Sequence, residues 1–211
     1  MIYASDFAGV IADSGYGRKL GIIIMDKKNV KLLLSKSVEY FEVIDKSNKV
    51  IGKAPRDECH RKGLLHRAVH IMILNRKGEF LLQKRSKKKD LYSGWWTSSA
   101  SGHVASGDDY DETAARELEE ELGVKAKLKP MFVVVKNYKG EGKHDRERIK
   151  FYIGSHDGPF GINREEVDKV RFFTPKKINE MMKKEKFTPG TVSVLKELRK
   201  HPELLKRLSL S

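Results

Sequence analysis

Cysteine is nearly absent. Cys59 is the only one in 211 residues, so no intrachain disulfide can form. That suits a reducing compartment, and a cytoplasmic protein is expected. Long apolar runs are missing too. None approaches the roughly 18 residues that a membrane-spanning helix needs, which leaves no membrane span. Ile22, Ile23 and Ile24 follow Arg18 and Lys19, but that run is too short for a secretory signal and lacks a cleavage-like site. Acid is in deficit: 29 Asp and Glu stand against 43 Lys and Arg, a formal net charge of +14. There are no internal repeats or low-complexity tracts. No basic stretch interleaved with aromatics marks a nucleic-acid site.

What is present suits one folded domain with extensions. Hydrophobic residues make up 39% of the chain, enough for a core, although charged residues reach 34%. Residues 1–36 read as an extension of unknown role, a short strand pair turning at Gly15, Tyr16 and Gly17. Residues 37–200 read as the main domain, and 201–211 as a basic tail. A basic surface favours polyanionic partners such as nucleotides or nucleic acid. Lysine clusters at residues 87–89, 176–177 and 183–184 are more often solvated surface than binding sites, so nucleic acid is open but not favoured. The sequence also leaves a homodimer open.

Periodicity places the elements. Residues 39–51 alternate around a polar turn and predict a β-hairpin. Residues 56–65 predict a short helix or loop. Residues 66–74 and 80–84 predict strands joined by a turn containing Gly78. Further strands are expected at 130–135, 148–153 and 167–173, and helices at 175–184 and 188–200. Strands alternating with a few helices predict an α/β sandwich.

Residues 102–124 carry the most information. Acids at 108, 109, 111 and 112 suit the positive end of a helix. Ala114, Leu118 and Leu122, with Ala115 near them, predict an inward face. Glu117, Glu120 and Glu121 fall within an arc of roughly 100°, expected to stand clear of that face. Gly123 ends the helix. A solvated acidic face is one reading of these glutamates. The other is a site for Mg²⁺ or Mn²⁺, since like charges at this spacing repel and a divalent cation would reward the clustering.

This segment resembles the Nudix box, G-x5-E-x7-R-E-U-x-E-E-x-G-U with U aliphatic. Every fixed position matches except Asp108, where the family has Glu. The resemblance implies a Nudix-type α/β/α sandwich with a mixed central sheet, an enzyme that hydrolyses a diphosphate linkage, and a small-molecule diphosphate substrate. It implies that Glu117, Glu120 and Glu121 ligate the metal, with the Gly102 carbonyl or its neighbour contributing. Arg116 would hold the glutamates by ion pairing. The general base would be Glu117, Glu120 or an acid outside the box such as Glu147.

The flanks resemble a narrower group, the isopentenyl-diphosphate isomerase-like Nudix proteins. Residues 63–68, 81–86, 94–97 and 101–103 carry that likeness. The isomerases need a catalytic Cys before the Gly-His pair, and this chain has Ser101, whose hydroxyl is a poor replacement for a thiol. They also commonly lack an intact box. Both departures point to hydrolysis, with isomerisation as the alternative. A nucleotide- or RNA-binding module that kept the fold without turnover is a third reading. His60, His66 and His103 are similar to the metal histidines of the isomerases, joined by Glu147 and Asp145. Trp95, Trp96, Tyr138 and Phe160 could stack on a base, but core packing is the commoner use of such residues.

Overall fold

A computed structural model describes residues 38–89, 91–140 and 143–201, with three short strands nearer the N-terminus: β1 (Gly9–Ala12), β2 (Gly21–Asp26) and β3 (Asn29–Val30). The chain divides into two compact units, residues 1–39 and 40–211. In the first, β1 pairs antiparallel with β2, Val10 opposite Ile23, and β2 pairs antiparallel with β3. The expected strand pair is there. Its expected turn at 15–17, and the tail after residue 201, lie outside the described residues.

The second unit opens with an antiparallel hairpin of β4 (Tyr40–Ile44) and β5 (Val50–Pro55). The Asp45 carboxylate shapes its turn by accepting the N–H groups of Ser47 and Lys49, both at 2.9 Å. Asn48 takes the left-handed conformation that Asn tolerates better than most residues (φ 72°). Phe41 and Ala54 then pack on Cys59 of helix α1 (Arg56–Lys62). Cys59 is a buried free thiol.

The central sheet contains β6 (His66–Leu74), β7 (Phe80–Arg85), β8 (Trp96–Thr97), β9 (Ala100–His103), β10 (Lys129–Gly140), β11 (Lys143–Ser155) and β12 (Val167–Phe173). Its main order is β10-β11-β6-β7-β12. The β6 and β7 strands pair at Leu74 and Phe80, beside their turn; beyond it β9 lies along β6 and β8 along β7. β11 runs parallel to β6 and the other pairings are antiparallel, which makes the sheet mixed.

Helices cover both faces. Val69, Ile71 and Ile73 meet Ala114, Leu118 and Leu122 of α2 (Tyr110–Leu122). Ala68, Met72 and Leu74 face the other way, toward Ile178 and Met181 of α3 (Pro175–Met181) and Val194 and Leu195 of α4 (Pro189–Leu198). Because successive strand side chains alternate and both faces are buried, residues 68–74 read as an apolar run broken only by His70. The result is the expected α/β/α sandwich. β10 and β11 run longer than their apolar cores predicted, because polar residues at their far ends continue the ladder. α3 stops at Met181, three residues short of the expected end. Among the described residues, no helix is long and apolar enough to cross a membrane.

Candidate active site

The pitch of α2 decides which box residues meet the sheet. The Asp109 carboxylate starts the helix by accepting from the N–H groups of Asp111 and Glu112, at 2.7 and 2.8 Å. Gly123 ends it in the left-handed conformation, φ 66°. At about 100° per residue, Glu121 lies only about 20° round the helix from Ala114. It is accordingly buried, only 3% exposed, and does not stand clear of the apolar face. Thr113 takes the inward place expected for Ala115, which is exposed. The Glu117 side chain is 14% exposed and that of Glu120 is 47% exposed. The three glutamates thus form a graded set, from buried to open.

Strand β9 meets this set from the sheet side. The Ser101 N–H and the Gln83 side-chain amide both donate to Glu121 Oε2, at 3.3 and 2.8 Å. At Gly102 there is no room for a side chain, since an ideal Cβ there would sit 2.2 Å from Glu117 Cδ. Glycine is what lets the strand backbone approach a carboxylate this closely. Arg116 Nη1 contacts Glu117 Oε1 at 2.9 Å and Glu120 Oε2 at 3.3 Å. Its Nη2 lies 3.8 Å from Asp108 Oδ2, so the shorter acid still reaches the arginine.

The electrostatics show a cluster short of positive charge. Burial, then Glu121, pushes the Glu117 carboxyl up to about 8, with Arg116 opposing. Burial, then Glu166, pushes Glu121 up to about 7, against Arg85 and Lys89. Burial and like charge both disfavour ionisation, so ionising both acids is costly unless a cation joins them. Hard carboxylate oxygens of this kind suit a divalent ion such as Mg²⁺ or Mn²⁺.

A second cluster lies on the other face of β9. Adjacent strand residues point to opposite faces, so Gly102 looks toward α2 and His103 away from it. His103 joins His66 of β6 and His60 of α1, with ring centroids 5.1 to 5.2 Å apart. Phe41 stacks on His66 and His103 at 4.9 and 4.6 Å. Register supplies the rest: Glu147 of β11 pairs with His66 on one side and Lys136 of β10 on the other. The Lys136 ammonium bridges Asp145 Oδ2 at 2.6 Å and Glu147 Oε2 at 2.7 Å. The opposite carboxylate oxygens face the rings, with Glu147 Oε1 3.0 Å from His103 Nε2 and Asp145 Oδ1 3.9 Å from His60 Nε2.

Burial holds all three histidines below their ordinary range, and His60 falls to about 3. They are neutral near pH 7. His66 Nδ1 lies 2.8 Å from the Leu64 carbonyl, so that nitrogen carries the hydrogen and Nε2 is a bare acceptor. Among the described residues, three buried atoms here find no hydrogen-bond partner: His60 Nε2, His66 Nε2 and Asp145 Oδ1. Ligand atoms of His60, His66 and His103 lie within 4.8 Å of one another, as do those of His66, Asp145 and Glu147. Neutral imidazoles and carboxylate oxygens converging in this way fit a divalent ion.

The structure therefore brings Gly102, Arg116, Glu117, Glu120 and Glu121 together. It places Glu147 apart from them, in the histidine pocket. Sequence reasoning missed Lys136, Gln83 and Glu166, the last of which binds Lys89 at 2.7 Å. Lys136 and Glu166 lie in no motif, and Gln83 falls in the 81–86 stretch without any role of its own being marked there. Lys136 follows a run of three valines and shows its role only through strand register. Among the aromatics, Trp96 is core. Trp95, Tyr92 and Tyr138 form a partly exposed group.

Comparison with known proteins identifies the family. The NUDIX domain matches residues 64–198. An uncharacterized Nudix hydrolase of Yersinia pestis is 32% identical over 163 residues, covering 75% of this chain and 84% of that protein. An isopentenyl-diphosphate Delta-isomerase of Pectobacterium atrosepticum is 32% identical over 149 residues, 69% of this chain and 83% of the isomerase. The crystal structure of DR0079 from Deinococcus radiodurans shares the fold, with TM-score 0.63 and 20% identity over 81% of this chain and 99% of that one. Nudix hydrolases generally use a divalent metal. The chain belongs to the Nudix hydrolase family and is a hydrolase of diphosphate bonds.

Proposed function

We propose that this enzyme is a Mg²⁺- or Mn²⁺-dependent hydrolase that cleaves a diphosphate linkage in a nucleoside-diphosphate derivative or a related organic diphosphate. The observation that carries this is the joint burial of Glu117 and Glu121 against the β9 backbone, with both carboxyls pushed toward neutral pH. Glu117, Glu120 and Glu121 would hold the ion, beside the Gly102 carbonyl. Bound there, a divalent cation neutralises diphosphate oxygens and lowers the pKa of an attacking water.

The chain's own groups do the positioning. Arg116 ties Glu117 to Glu120 and is braced by Asp108. Gln83 and the Ser101 N–H orient Glu121. Glu120, the most open of the three, is best placed to accept a proton from water, with Glu117 next. Glu147 is held by Lys136 and His103 on the other face of β9 and belongs to the pocket there. The same reading makes residues 37–200 the catalytic domain and places the enzyme in the cytoplasm.

The three unpartnered atoms favour a second cation position, held by His60, His66, His103, Asp145 and Glu147. The test of the main reading is phosphate release from a panel of nucleoside-diphosphate sugars, dinucleoside polyphosphates, nucleoside triphosphates, coenzymes and prenyl diphosphates, with and without metal. Metal-dependent turnover of one class, lost in Glu121→Gln, is expected. Absence of turnover throughout, with nucleotide or RNA binding indifferent to Glu120 and Glu121, would replace it with a binding module.

A further inference from the structure

The histidine pocket contains its own cation. The Lys136 side chain is 5% exposed, and its ammonium sits between Asp145 Oδ2 and Glu147 Oε2. The two N–O distances, 2.6 and 2.7 Å, are those of an ammonium donating to carboxylates. It takes one oxygen of each acid and leaves Oδ1 and Oε1 toward the rings. A buried pair of adjacent carboxylates with no counter-ion would repel each other at low effective dielectric. An ammonium in that place lets the pocket assemble without metal. The same charge repels any divalent ion held by the ring-facing oxygens.

We propose that Lys136 is an internal counter-ion that keeps the five ligating side chains assembled without metal and weakens divalent-ion binding among them. This rests on the reading of the pocket as a cation position. The ammonium contacts the two carboxylates, so its role is positioning and tuning. An ion held against a fixed ammonium is exchangeable rather than permanently resident.

The test is Co²⁺ binding followed by visible absorption, with equilibrium dialysis as a second measure. Imidazole nitrogen shifts the visible Co²⁺ band to shorter wavelength than the all-oxygen box site gives, and His66→Ala identifies the pocket's share. Removing a unit charge a few ångströms from a divalent ion tightens its binding by at least about a hundredfold at the effective dielectric of a protein site. Lys136→Met and Lys136→Gln should both bind Co²⁺ about that much more tightly than the unmodified enzyme. Lys136→Arg should stay within a few-fold of it. Without metal the Met variant should melt lower, and metal should raise its Tm more than that of the unmodified enzyme. If Lys136→Met does not fold, Lys136→Gln, which keeps a donor, decides the comparison. Equal or weaker binding in the neutral variants overturns the role of Lys136 while leaving the pocket a cation position. No His66-dependent band in any protein, confirmed by dialysis, overturns the pocket itself.

Discussion

Gly102→Ala separates what the fold needs from what the box needs. An alanine Cβ would lie 2.2 Å from Glu117 Cδ and 2.5 and 2.6 Å from its two oxygens. Ordinary contact begins near 3.4 Å, so the carboxylate must withdraw by at least about 1.2 Å. The atoms struck are the far end of a side chain, not backbone, and Gly102 is not in the left-handed conformation. The fold can therefore absorb the change by rotating Glu117 away from its preferred χ angles, at about 0.5–1.5 kcal/mol. That is a fall in Tm of only a few degrees. The chemical loss is much larger. A displacement of this size at a catalytic group costs about a hundredfold in rate, and Glu117 is both a proposed ligand and a partner of Arg116. Steady-state phosphate release, titrated with Mg²⁺ or Mn²⁺, should show kcat/KM falling about a hundredfold and half-saturating metal rising. Thermal unfolding should show little change. Activity within a few-fold of the unmodified enzyme would refute the placement of Glu117 at the metal. Collapse of the fold would refute the claim that only a side-chain tip is displaced.

The pH dependence of stability gives a second handle. Carboxyls raised toward 7 and 8 make the folded state bind more protons than the unfolded chain above pH 4.5, so ionising them removes stability as pH rises. Histidines held below 6.5 act oppositely, adding stability as pH rises toward 6.5. Metal-free protein should therefore be most stable near pH 6.5 and lose Tm up to about 8, while saturating Mg²⁺ or Mn²⁺ flattens that decline. A metal-free Tm that is level or climbing over this interval contradicts the carboxylate assignment. In deuterated water the enzyme should put no deuterium into the allylic carbon of isopentenyl diphosphate, because Ser101 cannot act as the isomerase thiol does. Incorporation detected by NMR would revive the isomerase reading.

Local spacing explains why the box could be read from sequence. Its cap at Asp109, its stop at Gly123 and its Arg-Glu pairings all lie within one helix and the strand just before it. The apolar run of residues 68–74 placed β6 for the same reason. Burial of Glu121 was available from helical pitch, since about 20° separates it from Ala114, yet grouping the glutamates by charge hid it. The histidine pocket is another matter. Phe41, His60, His66, His103, Lys136, Asp145 and Glu147 come from six elements, and the parallel register of β11 on β6, with the antiparallel registers of β10 on β11 and β9 on β6, sets His66, His103, Lys136 and Glu147 side by side. Three residues of local pattern around Lys136 carry no trace of that pairing.

Strand β9 is where the two clusters become one problem. Within three consecutive residues, Ser101 gives its N–H to Glu121, Gly102 yields its side-chain space to Glu117, and His103 turns to the opposite face beside Glu147. The strand is held to β6 by the pairs Ala68–His103, Val69–Gly102 and His70–Ser101, so it cannot shift toward one cluster without leaving the other. Close-packed interiors transmit such displacements rather than absorb them. A cation that draws His103 inward would pull Gly102 off Glu117, and one that draws Glu117 inward would press Gly102 toward the pocket. The counter-ion Lys136 holds Asp145 and Glu147 on the pocket side before any ion arrives. The lysine and the glycine thus serve one geometric end: each keeps a charged cluster compact on its own side of the same strand.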